Sequence, residues 1–229
     1  MARLTEAAVR RVVWQHAVRI IPSRFPPVGP FDSVAAPEDL AAVYAVEAAT
    51  NPRVLQDWGR LDLVPEADRI AGPGTTPIMA AFTHPNPDGS RFSDGSFGVY
   101  YSAREEPTAI AESTYHRERI LRWSRAPAMK VEMRQYAGGV SARLVDLRGG
   151  QREWPECYRR DDYSGSQRFG MAQKAADRSG IVYDSVRCNG GVCAAVFKPR
   201  ALRPVVQSKH YYFVWDGERI TDVLNVSRV

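Results

Sequence analysis

The stretch GSRFSDGSFGVYYSAREEPTAIAEST, residues 89–114, reads in order as a loop, a strand and the start of a helix. Gly, Ser and Asp crowd its first part, residue types that turn the backbone readily. VYYSA, residues 99–103, has the apolar and aromatic character of a strand. Glu106-Pro107 then opens a helix that reaches about Trp123, because proline is tolerated in a first turn and a carboxylate there complements the helix dipole. Each segment presents one side chain of distinct chemistry: Arg91, Tyr101 and Glu112, at intervals of ten and eleven. Tyr100 and Tyr101 are neighbours in a strand and point to opposite faces, so one packs in a core and the other faces a cleft.

Upstream, residues 5–20 read as a first helix, with Thr5 as its cap and Val9, Val12, Val13 and His16 on one side. The four prolines of IPSRFPPVGPF forbid regular structure. Pro37-Glu38-Asp39 begins a second helix to about Thr50, closed by Asn51-Pro52. A polar, turn-rich segment over 53–75 leads to PIMAAFTH, residues 77–84, an apolar run between breakers that reads as a buried strand.

Downstream, AMKVEMRQY and VSARLVDL alternate as two half-buried strands joined through Gly138-Gly139. A helix is expected near 166–178, and IVYDS and CAAVFKP follow as strands. The tail, 209–226, reads as a hairpin around Asp216-Gly217. The pattern predicts one α+β domain over 1–229, with a helical N-terminal segment (1–75) and a mainly antiparallel mixed sheet flanked by helices.

Composition narrows the function. With 44% hydrophobic and 25% charged residues over 229 positions, the chain has the make-up of one generous globular domain. No apolar run approaches the roughly 20 residues of a membrane span. The charged N-terminus is unlike an export signal, so the cytoplasm is the expected location. Cys157, Cys188 and Cys193 suit reduced thiols, although Cys188 and Cys193 flank an Asn-Gly-Gly turn that would let them approach. The scattered histidines (His16, His84, His116, His210) offer no zinc spacing, and no metal is expected. The net charge of +5 is dispersed among acidic neighbours, as in HRER and YRRDD. It fits a pocket for an anionic ligand or an acidic partner better than a nucleic-acid surface.

Arginine holds phosphate in a fork of donors, tyrosine offers a ring on which a planar base stacks, and glutamate supports positive charge developing on a ribose. A second stretch, GIVYDSVR at 180–187, adds Ser185 after an apolar run. It has no GxSxG elbow and no paired histidine, which excludes a nucleophilic serine of the hydrolase type. These groups are the ones needed to bind a dinucleotide and cleave it at a glycosidic bond.

R-x9-Y-x10-E, then G-I-x-Y-x-S-V-R about seventy residues on and an apolar strand ending in F-K-P-R, resembles the RES domain over about 85–205. The N-terminal SRFPPVGPF and ATNPR also resemble one branch of that family. The resemblance implies a fold similar to bacterial ADP-ribosyltransferase toxins. It implies a toxin of a type II toxin–antitoxin system, neutralised by an Xre-type antitoxin that plugs its cleft, and a homodimer or a larger complex. NAD+ would be the substrate, with no permanently bound cofactor and with inorganic phosphate, water or a protein side chain as acceptor. The family's named residues fall on Arg91, Glu112 and Ser185, its tyrosine on Tyr101, and an additional arginine on Arg19. Where many members read Gly-Gly-Arg-Trp-Asn, this chain reads Gly89-Ser90-Arg91-Phe92-Ser93. An RNA-directed toxin using the basic surface and a catalytically inactive interaction module are the alternatives.

Overall fold

The computed structural model describes residues 7–23, 29–34, 36–50 and 57–227; Thr5 and Asn51-Pro52 lie outside them. The elements are β1 Val9–Pro22, α1 Pro30–Ser33, α2 Leu40–Thr50, α3 Thr76–Thr83, β2 Tyr100–Ala103, α4 Glu106–Trp123, β3 Met129–Asp146, α5 Ser164–Ala175, β4 Gly180–Asp184, β5 Val192–Val196, β6 Val206–Trp215 and β7 Ile220–Val226. The fold is α+β. Seven strands run in the order β1-β2-β5-β4-β3-β6-β7, and β1 also pairs with β3, closing five of them into a circuit. All pairings are antiparallel except β3 with β4, where Val145 faces Ile181.

β3 is the spine. One edge pairs with β1 from Pro22 to Val9, while the other pairs first with β6 and then, at Val145 and Asp146, with β4. The two strands expected around Gly138-Gly139 are therefore one. The glycines let the 203–205 segment cross close by: a Cβ on Gly138 would come within 2.6 Å of Val205, and one on Gly139 within 2.9 Å of Arg203.

Two expectations are corrected. Residues 9–22 form β1, not a helix. Val12 and Trp14 point inward while Val13 and His16 are exposed, so the expected helical side joins residues of opposite faces; a register shift between Trp14 and Ala17, opposite Gly139, then breaks the alternation. The many β-branched residues of this segment favour the strand. Residues 77–84, expected as a strand, belong to the helix α3, with Pro77 in its first turn. Ile78, Met79 and Phe82 are all buried, so no exposed side reveals the period. Gly98 lets this helix sit against the chain entering β2, where a Cβ would lie 2.3 Å from Phe82 Cα.

Elsewhere the expected elements appear: α4, β2, β4, β5, the α2 helix after Pro37-Glu38-Asp39, and a helix at 164–175. The β6–β7 hairpin turns at Asp216, whose Oδ1 accepts the N–H groups of Glu218 and Arg219 at 2.8 Å each. Strand alternation splits the interior in two. Tyr100, Val182, Ala194 and Val196 pack with α2 and α3 in one cluster. Phe92, Tyr183, Cys193 and Ala195 pack in the other, with Tyr101 and Ile110 of α4 against them. All three cysteines are free thiols. Among the described residues no helix is long and apolar enough to cross a membrane.

Candidate active site

Glu112 sits on the second turn of α4, half-buried, near the end of β4 and the start of β5. Its Oε1 accepts a hydrogen bond from Ser185 Oγ at 2.6 Å and a longer one from Cys193 Sγ at 3.9 Å. Oε2 has no protein partner among the described residues. Ser185 follows β4 directly, and its Oγ accepts the N–H groups of Arg187 and Cys188, both at 3.0 Å. Those two bonds occupy the oxygen's lone pairs and leave its single proton for Glu112. Ser185 is thus a fixed donor to the carboxylate.

Cys193 and Tyr183 line the floor beneath Glu112 and are almost fully buried. Burial first, and then the nearby Glu112 charge, pushes the Cys193 thiol well above its usual range. Burial likewise raises the Tyr183 hydroxyl, with the Cys193 and Glu112 charges adding to it. Both groups stay protonated at neutral pH. Arg91 opposes these negative neighbours in both cases, which puts its charge in the same cluster.

Arg91 is 4% exposed, with no carboxylate in ion-pair reach among the described residues. Nη1 donates to the carbonyls of Cys157 (3.0 Å) and Arg159 (2.9 Å), and the guanidinium lies 4.6 Å over the Tyr163 ring. Nη2 is buried without a partner. A buried cation with an unspent donor is expensive unless something completes it.

The loop bearing Arg91 is held by Tyr101. The phenol oxygen meets Ser90 Oγ at 2.9 Å and accepts the N–H of Phe92 at 2.9 Å. Burial pushes this phenol up to about 12. Tyr101, not Tyr100, faces the cluster; Tyr100 is 2% exposed on the opposite side of the strand. Phe92 packs edge-on against Tyr183 with centroids 5.0 Å apart.

Arg19 is placed differently. Its Nη1 donates to the Tyr101 carbonyl at 2.9 Å and its guanidinium covers the Tyr100 ring at 4.7 Å. Burial lowers its pKa. It makes no hydrogen bond to Arg91, Glu112 or Ser185 among the described residues, so the structure brings together Arg91, Tyr101, Glu112 and Ser185 and leaves Arg19 behind the strand.

Sequence reasoning missed the rim. Tyr115 donates to Asp161 Oδ1 at 2.7 Å, and Arg187 lies 3.4 Å over the Tyr115 ring. Tyr163 lies between Arg91 and Arg119, the latter 5.8 Å from its ring. His116 is pushed down to about 4 by the protein packed around it and then by the charges of Arg119, Arg91, Arg187 and Arg117. Its ring keeps an exposed edge. Water reaching that edge screens part of the repulsion, and the ring is neutral at pH 7. The one available signal was the arginine density of residues 115–125 beside Glu112. Among the described residues no cluster of His, Cys, Asp and Glu suits a metal.

Among the described residues, the cluster thus holds a half-buried carboxylate with one oxygen unengaged and a buried cation with one donor unengaged. The RES domain model matches residues 66–216, and the chain belongs to the RES domain family. It is 32% identical over 209 residues, 89% of this chain and 84% of the other, to the uncharacterized protein y4oC of Sinorhizobium fredii (strain NGR234). Among solved structures it is similar to a chain of the M. tuberculosis MbcT–MbcA toxin–antitoxin complex. The TM-score is 0.51 at 13% identity, covering 93% of this chain and 91% of that one, which is a likeness of fold.

Proposed function

We propose that this chain is the toxin of a toxin–antitoxin pair and that it consumes NAD+ by cleaving the nicotinamide–ribose bond. The observation that carries the reading is the Ser185–Glu112 pair, 2.6 Å apart, with Glu112 Oε2 unengaged and a buried Arg91 donor unspent. Membership of the RES family and a fold shared with a toxin–antitoxin complex support the toxin role.

In NAD+ the nicotinamide leaves with the electron pair of the C–N bond and becomes neutral. The difficulty lies in the oxocarbenium ion left on the ribose. Glu112 Oε2 would face that cation, where a partly excluded solvent strengthens the attraction. Ser185 keeps the carboxylate from rotating away, which pre-organises the charge. Arg91 Nη2 would take a phosphate oxygen of the dinucleotide, or an incoming inorganic phosphate, with Nη1 anchored to the two carbonyls. The half-buried Tyr101 ring would carry the nicotinamide. Water, phosphate or a side chain then donates an electron pair to the ribose carbon and loses a proton, giving ADP-ribose, its phosphorylated form or an ADP-ribosylated protein. Xre-type neutralisation belongs to the same proposal, the partner's acidic or apolar segment covering the cleft.

Induced expression in a bacterial host tests the reading. Cellular NAD+ should fall within one generation and growth should stop, while Glu112→Gln should leave both near the uninduced level. Unchanged NAD+ with arrested growth would refute the reading and point to an RNA target.

A further inference from the structure

Arg187 is a second cation that the fold buries, and its carboxylate partner is a distant one. Its side chain is 5% exposed, and its Nε is buried without a partner. Nη2 donates to the Arg160 carbonyl and reaches Asp161 Oδ1 at 3.4 Å, a long contact to a carboxylate whose own side chain is 76% exposed. Such a contact returns little against the desolvation of a guanidinium. The stack on Tyr115 fixes the plane of the fork. The Arg187 N–H bonds Ser185 Oγ, so this arginine is tied to the same residue that holds Glu112.

Arg91, from another part of the chain, is also buried with one donor unengaged, and among the described residues no carboxylate reaches it. Both arginines bond one short segment, Arg91 to the Arg159 carbonyl and Arg187 to the adjacent Arg160 carbonyl, which brings them to the same part of the fold. The segment 159–163 also gives the Tyr163 ring to Arg91 and Asp161 to Arg187. Two guanidiniums, each with one unspent N–H, match two linked phosphate groups better than one.

We infer that Arg91 and Arg187 form a two-pronged site for a diphosphate, in which the Asp161 carboxylate occupies the Arg187 prong until the ligand displaces it. Naming that diphosphate as part of NAD+ rests on the function proposed above; the anion site itself does not. The segment carrying Asp161 would shift as the ligand enters, because its carboxylate and a phosphate compete for one fork.

Calorimetric titration of the full chain with inorganic pyrophosphate, and separately with orthophosphate, tests this. Pyrophosphate should bind at least about tenfold tighter than orthophosphate, since a second charged prong is worth about 1.4 kcal/mol or more. Arg187→Gln should bring the two affinities together. Asp161→Asn, at an exposed position where folding is not at stake, should tighten pyrophosphate binding about threefold to tenfold. Equal binding of pyrophosphate by wild type and Asp161→Asn, or an unaltered preference in a folded Arg187→Gln protein, would overturn the inference. Pyrophosphate behaviour as expected with NAD+ left intact would retain this site and remove the NAD+ reading. Cleavage of NAD+ by Arg187→Gln with wild-type KM would do the reverse.

Discussion

Replacing Tyr101 by Phe removes one oxygen and keeps the ring. The missing hydroxyl is the acceptor for the Phe92 N–H and the partner of Ser90 Oγ, each at 2.9 Å. Phe92 is fully buried. Its N–H is therefore left without water, and an unsatisfied buried donor costs about 1–3 kcal/mol. Ser90 is partly exposed and recovers most of its bond from solvent. A loss of about 2 kcal/mol follows. With a urea m-value of about 2–3 kcal/mol/M for a domain of this size, the unfolding midpoint should drop by roughly 0.7–1 M. The loop released is the one bearing Arg91, so anion affinity should fall in the folded variant while Glu112 and Ser185 keep their geometry. Urea unfolding followed by tryptophan fluorescence measures the first effect and pyrophosphate titration the second. If Tyr101→Phe unfolds at the wild-type midpoint and binds pyrophosphate equally well, the hydroxyl does not anchor the loop, and Tyr101 would serve through its ring alone.

Gly98→Ala should destabilise by about 3 kcal/mol or more, because the new Cβ would meet Phe82 Cα at 2.3 Å and only backbone can yield; thermal unfolding checks it. Ser185→Ala should lower stability by about 1.5–3 kcal/mol through loss of the charge-assisted bond to Glu112, and Ser185→Thr should recover part of it. His116 gives a pH effect. Its folded pKa of about 4 lies below the unfolded value of 6.5, so the unfolded chain binds more protons between them and stability falls as pH drops from 6.5 to 4. Solvent at its exposed edge keeps this loss below about 1 kcal/mol. His116→Gln should abolish that part of the slope in unfolding midpoints taken at pH 4, 5, 6 and 7.

The sequence carried the parts of the fold that announce themselves locally. Pro107 behind Glu106 started α4, Asp216-Gly217 turned the hairpin, and the alternation in residues 129–146 wrote strand. What it hid were features decided by a neighbour. The bulge in β1 exists opposite Gly139 of β3, and it breaks the period of two between Trp14 and Ala17. Helix α3 is buried except at Ala80 and Ala81, both apolar, so hydrophobicity could not reveal its twist. The site was legible as residue types at fixed intervals, which located Arg91, Tyr101, Glu112 and Ser185. Their division of labour was not. That Ser185 donates to Glu112, that Tyr101 grips the Arg91 loop, and that Arg19 lies against Tyr100 are consequences of strand register and of the turn at 185–191. The rim of Arg187, Tyr115 and Asp161 joins three distant segments, a juxtaposition that no local pattern encodes.

The central claim is that the Glu112 carboxylate, aimed by Ser185, stabilises positive charge on the ribose of NAD+. Chromatographic measurement of nicotinamide released from NAD+ by the purified protein, with and without phosphate, addresses it directly. The wild-type chain should release nicotinamide, and Glu112→Gln, which preserves shape and removes the charge, should be at least about a hundredfold slower. Release at the wild-type rate by a folded Glu112→Gln protein, or no release by the wild type under either condition, would contradict it.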